Sequence, residues 1–177
     1  MLPASDQGQT SQCAAYSLAG ILESLKWRDT GEYHQIDPNP IYAGAKRIDG
    51  FKGEGTTLDA VLRSAISLGL MPKPKEVFAI TDMLSFQRAL HRYGFVHLAF
   101  NITEAWSHPR PNGWLPEDGH LPQIGGHAVV GCAFDASPAG WVGIQNSWSG
   151  GIGWNGFMRM TKDQFKRQFL YGLAWKY

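Results

Sequence analysis

The feature that most constrains this chain is a change of hydrophobic period near its middle. Before Gly94 the apolar residues recur at helical spacing: Leu18, Ile21, Leu22 and Leu25, then Leu58, Val61, Leu62, Ala65 and Leu68, then Leu84, Leu90 and Tyr93. After Gly94 they alternate, with Val96, Leu98, Phe100 and Ile102 interleaved by His97, Ala99 and Asn101. A 3.6-residue period marks one face of a helix and a two-residue period one face of a strand. Helices are expected from Cys13 to Lys26, after Asp37-Pro38-Asn39-Pro40, from Leu58 to Gly69 and over 81–93. Thr10 or Ser11 are candidate caps for the first, and Thr56-Thr57 with Asp59 open the third. Strands are expected over 96–102, 127–134, 141–146, 157–160 and 172–177. Residues 103–126, rich in Pro, Gly and His, read as a long loop of the kind that often carries function. The fold class is therefore α+β, one domain over 1–177, with a helical lobe over about 1–94, a β lobe over about 95–177 and a cleft between them.

Composition narrows the functions available. Sixteen Lys and Arg stand against fifteen Asp and Glu, a formal net charge of +1. So balanced a chain has no electrostatic reason to grip nucleic acid or an anionic membrane, and no apolar run reaches the ~18 residues of a membrane span. Only 18% of residues are charged and 12% are aromatic, which suits a packed interior. Two cysteines, Cys13 and Cys132, make no disulfide framework; with no signal peptide at the start, the cytoplasm is the favoured location, delivery elsewhere staying open. Cys132, inside an apolar strand, reads as a packed thiol. Glu117, Asp118 and His120 with His108 match no standard metal-ligand spacing, so neither a metal nor a cofactor is expected. The basic cluster Lys162, Lys166 and Arg167 reads as an exposed helix face.

Three residue types then stand out together. Cys13 lies where the polar turn Gly8-Gln9-Thr10-Ser11-Gln12 enters a helix, and helix N-termini favour an anion such as a thiolate. His127 opens a strand after Gly125-Gly126, and Asn146 ends another. Thiol, imidazole and amide supply a nucleophile, a base and an orienting group, the logic of covalent acyl transfer. Gln7, six residues before Cys13, is placed to donate to a developing oxyanion alongside the Cys13 amide.

These segments resemble the papain-like cysteine proteases. The nucleophile segment is Asp6 to Ser17, the histidine segment Gly126-His127-Ala128-Val129, and the asparagine segment Gln145-Asn146-Ser147-Trp148 followed by Gly156 to Met160. Gly53-Glu54-Gly55-Thr56-Thr57-Leu58-Asp59-Ala60 resembles the substrate-binding loop and the helix it introduces. The resemblance implies a two-lobed fold, Cys13 as nucleophile, His127 as general base and then acid, Asn146 as orienting amide and Gln7 as oxyanion donor. It further implies substrate contacts from Gly53, Glu54, Gly55 and Gly126, with Trp148 covering the His127–Asn146 bond. A peptide or protein substrate would follow, and as further partner an inhibitory pro-segment or inhibitor protein outside this chain. Departures are visible. Thr10 replaces the usual cysteine, so the family's neighbouring disulfide is missing. Ala14 replaces an aromatic, Glu54 a glycine, and Trp154 comes two positions late. The interval from Cys13 to His127 is shorter than the ~130–150 residues usual for the family. Two rival activities share these residues: an acyltransferase of the same architecture that delivers the acyl group to an amine, and a silent module that only binds a peptide or partner.

Overall fold

The computed structural model describes residues 2–119 and 121–177. Three helices come first: α1 (Cys13–Thr30), α2 (Pro38–Ile48) and α3 (Leu58–Ser67). Strand β1 (Glu76–Ile80), helix α4 (Met83–Tyr93) and strand β2 (Val96–Thr103) follow. A 3₁₀ turn over Glu104–Ser107 leads towards β3 (Gln123–Phe134), β4 (Trp141–Gln145), β5 (Phe157–Thr161), α5 (Lys162–Gln168) and β6 (Phe169–Lys176). The strands form one sheet in the order β1-β6-β2-β3-β4-β5, every pairing antiparallel. Among the described residues no helix is long and apolar enough to cross a membrane.

Helix starts follow local chemistry. The Asp37 carboxylate accepts from the Asn39 N–H with Pro38 at N1, and the Thr57 hydroxyl accepts from the Ala60 N–H. Asp82 and Ser85 form a reciprocal capping box on α4, so that helix begins at Met83, two residues later than the pattern suggests. The expected hydroxyl cap on α1 does not form. Its N-cap is Gln12, whose side chain caps nothing; the Thr10 hydroxyl is spent on the Gln7 carbonyl and the Ser11 hydroxyl on Glu54.

The sheet is covered on both faces. On β2, Val96, Leu98, Phe100 and Ile102 join a core with α4, α5 and Trp106, while Ala99 joins Ala128, Val130, α1, α2 and α3 in a second core on the other face. The alternation read from sequence is correct, but His97 on the supposed polar face is fully buried. Strand β1, not foreseen, pairs with β6 inside the stretch expected to be wholly helical, and α4 belongs to the sheet's far side. Close crossing explains two strand glycines. A Cβ on Gly131 would lie 2.6 Å from Val96 Cγ2 and one on Gly172 2.7 Å from Leu98 Cδ2.

The segment read as a long loop is fastened instead. Thr103 still belongs to β2 and Gln123 already to β3. Between them Trp106 is fully buried and its indole donates to Gln168 Oε1 at 2.6 Å. Gln168 also donates to Asp118, which accepts from Arg167 at 2.5 Å, and Gln164 reaches the Pro116 carbonyl at 2.7 Å. Arg167 is thereby an anchor rather than part of a free basic face. Asp118 is held by Arg167 and Gln168; His120, named with it above, lies outside the described residues.

Candidate active site

The site forms where the first turn of α1 meets the exposed start of β3. A short N-terminal strap brings its parts together. The Gln7 N–H donates to the Ser147 carbonyl at 2.8 Å and the Ser149 N–H to the Ser5 carbonyl at 3.0 Å, so the residues before α1 lie along the segment that follows β4. This fixes Gln7 beside Ser147, whose hydroxyl donates to Gln7 Oε1 at 2.6 Å. One proton of the Gln7 amide goes to the Thr10 carbonyl at 2.6 Å, and a primary amide has a second to give.

His127 and Asn146 are joined directly, with 2.7 Å between His127 Nε2 and Asn146 Oδ1. An amide oxygen only accepts, so the imidazole carries its proton on Nε2 and presents the Nδ1 lone pair elsewhere. Asn146 is fixed in turn: its Oδ1 also accepts from the Ser147 N–H at 2.8 Å, and its amide contacts Met158 Sδ at 3.7 Å. Trp148 stacks on the imidazole with 4.6 Å between centroids, and Trp106 meets it edge-on at 5.9 Å. His127 is 5% exposed and Asn146 2%.

Gln7, Cys13 and His127 line one cavity of about 460 Å³, together with Gly55, Gly126, Thr10, Ser11 and an apolar group that includes Phe51, Leu170 and Tyr171. A Cβ on either Gly55 or Gly126 would meet no atom within 4 Å, so both present bare backbone to open space. Of the other expected substrate contacts, Glu54 accepts from Ser11 at the rim (3.1 Å), Trp148 acts behind His127, and Gly53, whose carbonyl is turned to Lys46 as that of Gly55 is, does not line the cavity.

Electrostatics correct one expectation. The first turn of α1 holds no acidic residue, and its Cys13 and Ala14 N–H groups favour an anion, yet burial pushes the Cys13 thiol above its ordinary value. The N–H groups of Ala128, Ala14 and Cys13 itself pull the other way but do not win. Burial likewise lowers His127 to about 4, against the upward pull of Asn146. Cys132 is pushed up to about 12 by burial and donates weakly to the Gly143 carbonyl, in keeping with a packed thiol.

Three contributors escape the sequence. Trp106 sits in a Pro- and Gly-rich stretch where a large aromatic was the available sign of anchoring. Tyr171, whose hydroxyl accepts from the Leu58 N–H at 3.1 Å, ties β6 to α3 across the cleft. Lys46 donates to the carbonyls of Phe51, Gly53 and Gly55 at 2.8–3.0 Å and to Asp49 at 3.2 Å, gathering the loop that bears Gly55. Acceptors on the backbone leave no trace in a sequence.

No protein-family model matches the chain. Solved structures do. Xylellain, a cysteine protease from Xylella fastidiosa, superposes with a TM-score of 0.78 at 15% identity, over 99% of this chain and 82% of that one. Digestive procathepsin L 3 of Tenebrio molitor larval midgut gives 0.72 at 14% identity, over 100% of this chain and 67% of that one. The fold is therefore that of the papain-like proteases: helices packed against an antiparallel sheet with a cleft between.

Proposed function

We propose that these 177 residues form one catalytic domain, a cysteine-type peptidase that cleaves peptide or isopeptide bonds through an acyl-enzyme. The observation that carries this reading is the convergence of Gln7, Cys13 and His127 on one cavity, with Asn146 holding the imidazole from behind. Likeness in fold to two cysteine proteases supports it at a coarser level.

Burial disfavours a charge on Cys13 or His127 acquired singly. A proton passed from Sγ to Nδ1 creates both charges at once and side by side, so their attraction offsets desolvation. The thiolate then attacks the substrate carbonyl carbon. The second Gln7 amide proton and the Cys13 N–H receive the oxyanion. As the C–N bond breaks, the imidazolium gives its proton to the departing amine. Water, losing a proton to His127, attacks the thioester; the acid leaves and the thiol is restored. Trp148 and Trp106 keep water from the His127–Asn146 bond throughout. Gly55 and Gly126 offer backbone to an extended peptide, as a strand edge would. Glu54 at the rim favours a basic substrate residue. A procathepsin among the structural neighbours makes an inhibitory pro-segment or inhibitor protein the natural further partner.

Cys13→Ser tests the reading. Hydrolysis of a peptide mixture by the wild-type chain should vanish in a variant of unchanged thermal stability. Turnover retained by the serine variant would exclude Cys13 as nucleophile, and transfer to an added amine without hydrolysis would make the protein an acyltransferase.

A further inference from the structure

His97 is a buried titratable group that this chemistry leaves unused. It lies on β2 between Val96 and Leu98, fully enclosed, facing the first turns of α1. Its Nε2 is 2.7 Å from Ser17 Oγ, and Ser17 Oγ is 2.8 Å from the carbonyl oxygen of Cys13 and 3.2 Å from that of Ala14. Nδ1 has no partner among the described residues.

Proton counting fixes the direction of these bonds. Were the ring proton on Nδ1, a buried N–H would have no acceptor, a rarer and costlier defect than a vacant lone pair. The proton therefore sits on Nε2 and points at Ser17 Oγ. The single hydroxyl proton of Ser17 then goes to the Cys13 carbonyl at 2.8 Å, the nearer of its two acceptors, the Ala14 carbonyl lying at 3.2 Å. A two-bond chain runs from the middle of the sheet to the residue that bears the thiol. On the same face β3 runs alongside, Ala128 pairing with Ala99, two residues along β2 from His97. An apolar residue at 97 would pack this core without an orphan nitrogen, so filling space does not account for a histidine.

We infer that His97 is a positioning residue for Cys13: acting through Ser17, it fixes the first turn of α1 so that the sulfur stays opposed to the imidazole of His127. The inference rests on Cys13 being the nucleophile. Burial, which lowers His97 to about 3 against the pull of the Ala14 carbonyl, keeps the ring neutral as this role requires.

Imidazole ¹⁵N NMR of the wild-type chain reads the bond itself, whether or not any peptide is cleaved. A neutral ring protonated on Nε2 and unchanged down to pH 5 is expected; the Nδ1–H tautomer, or a charged ring at pH 5, overturns the inference and leaves the peptidase reading untouched. Kinetics read the consequence. Ser17→Ala and His97→Leu should each lower kcat about tenfold or more with KM held within about twofold, since small misplacements of a reacting group are costly. His97→Gln, which keeps an N–H donor, should recover to within about threefold. Should His97→Leu fail to fold, Ser17→Ala carries the kinetic arm. Full kcat in a folded Ser17→Ala variant overturns the inference, as does a Gln variant as impaired as the Leu one.

Discussion

The two sides of the cleft are built differently. The side bearing His127 is assembled by packing between residues far apart in sequence: Trp106, Trp148 and Asn146 converge on one imidazole, and Met158 backs the Asn146 amide. The side bearing Gly55 is assembled by polar contacts within a short stretch. Lys46 collects three carbonyls, Asp49 accepts from the Phe51 N–H and the Thr56 hydroxyl, and the Tyr42 hydroxyl donates to the Glu54 carbonyl. A packed core resists displacement, whereas a loop held by a few hydrogen bonds yields when one is lost. On the proposed reading the rigid side does the chemistry and the adaptable side chooses the substrate.

The largest effects should therefore fall on the packed side. His127→Ala should cost about 10²–10⁴ in kcat by removing the proton carrier. Gln7→Ala should cost roughly 10²–10³ if its amide meets the oxyanion, and a loss below about tenfold would remove it from that role. Trp106→Ala should cost about 3–5 kcal/mol of stability, measured by urea unfolding, because the fully buried indole ties the turn after β2 to α5 and packs against the imidazole. On the loop side, Lys46→Met should raise KM by about three- to tenfold with kcat nearly kept, the scale of one or two hydrogen bonds. A kcat loss as large as that of Gln7→Ala would erase the distinction between the two sides. Smallest of all, Glu54→Gln should only reduce a preference for basic residues, read from a peptide library.

The buried histidines add a pH dependence. His97 is lowered to about 3 and His127 to about 4, so the unfolded chain takes up their protons near pH 6.5 and the folded chain does not. Their contribution to stability is complete above about pH 6.5 and is lost progressively as pH falls towards 4, on the order of several kcal/mol for the pair. The urea midpoint should fall over that interval, and less steeply in a His97→Gln variant.

Much of this was legible in the sequence because it is local. The periods on either side of Gly94, the Thr57 cap and the strand carrying His127 depend on neighbours in the chain, and the ordered segments around Cys13, His127 and Asn146 led to the fold that structural comparison shows. What escaped is set by partners far away. β1, exposed at Glu76, Val77 and Ala79, half-buried at Phe78 and buried only at Ile80, is an edge strand whose pattern is too weak to see until β6 pairs with it. Nothing in α4 says on which face of the sheet it will lie. Burial of Cys13, which opposes the helix terminus and raises the thiol, arises only once β3 closes over it.

Alkylation of the two cysteines by iodoacetamide, mapped by mass spectrometry from pH 5 to 9 in the wild type and in His127→Ala, puts the central claim to the most direct trial. Cys13 should react well ahead of Cys132 and should remain reactive near pH 6 only while His127 is present. Identical pH profiles for Cys13 in the two proteins, or modification of Cys132 first, would contradict the account.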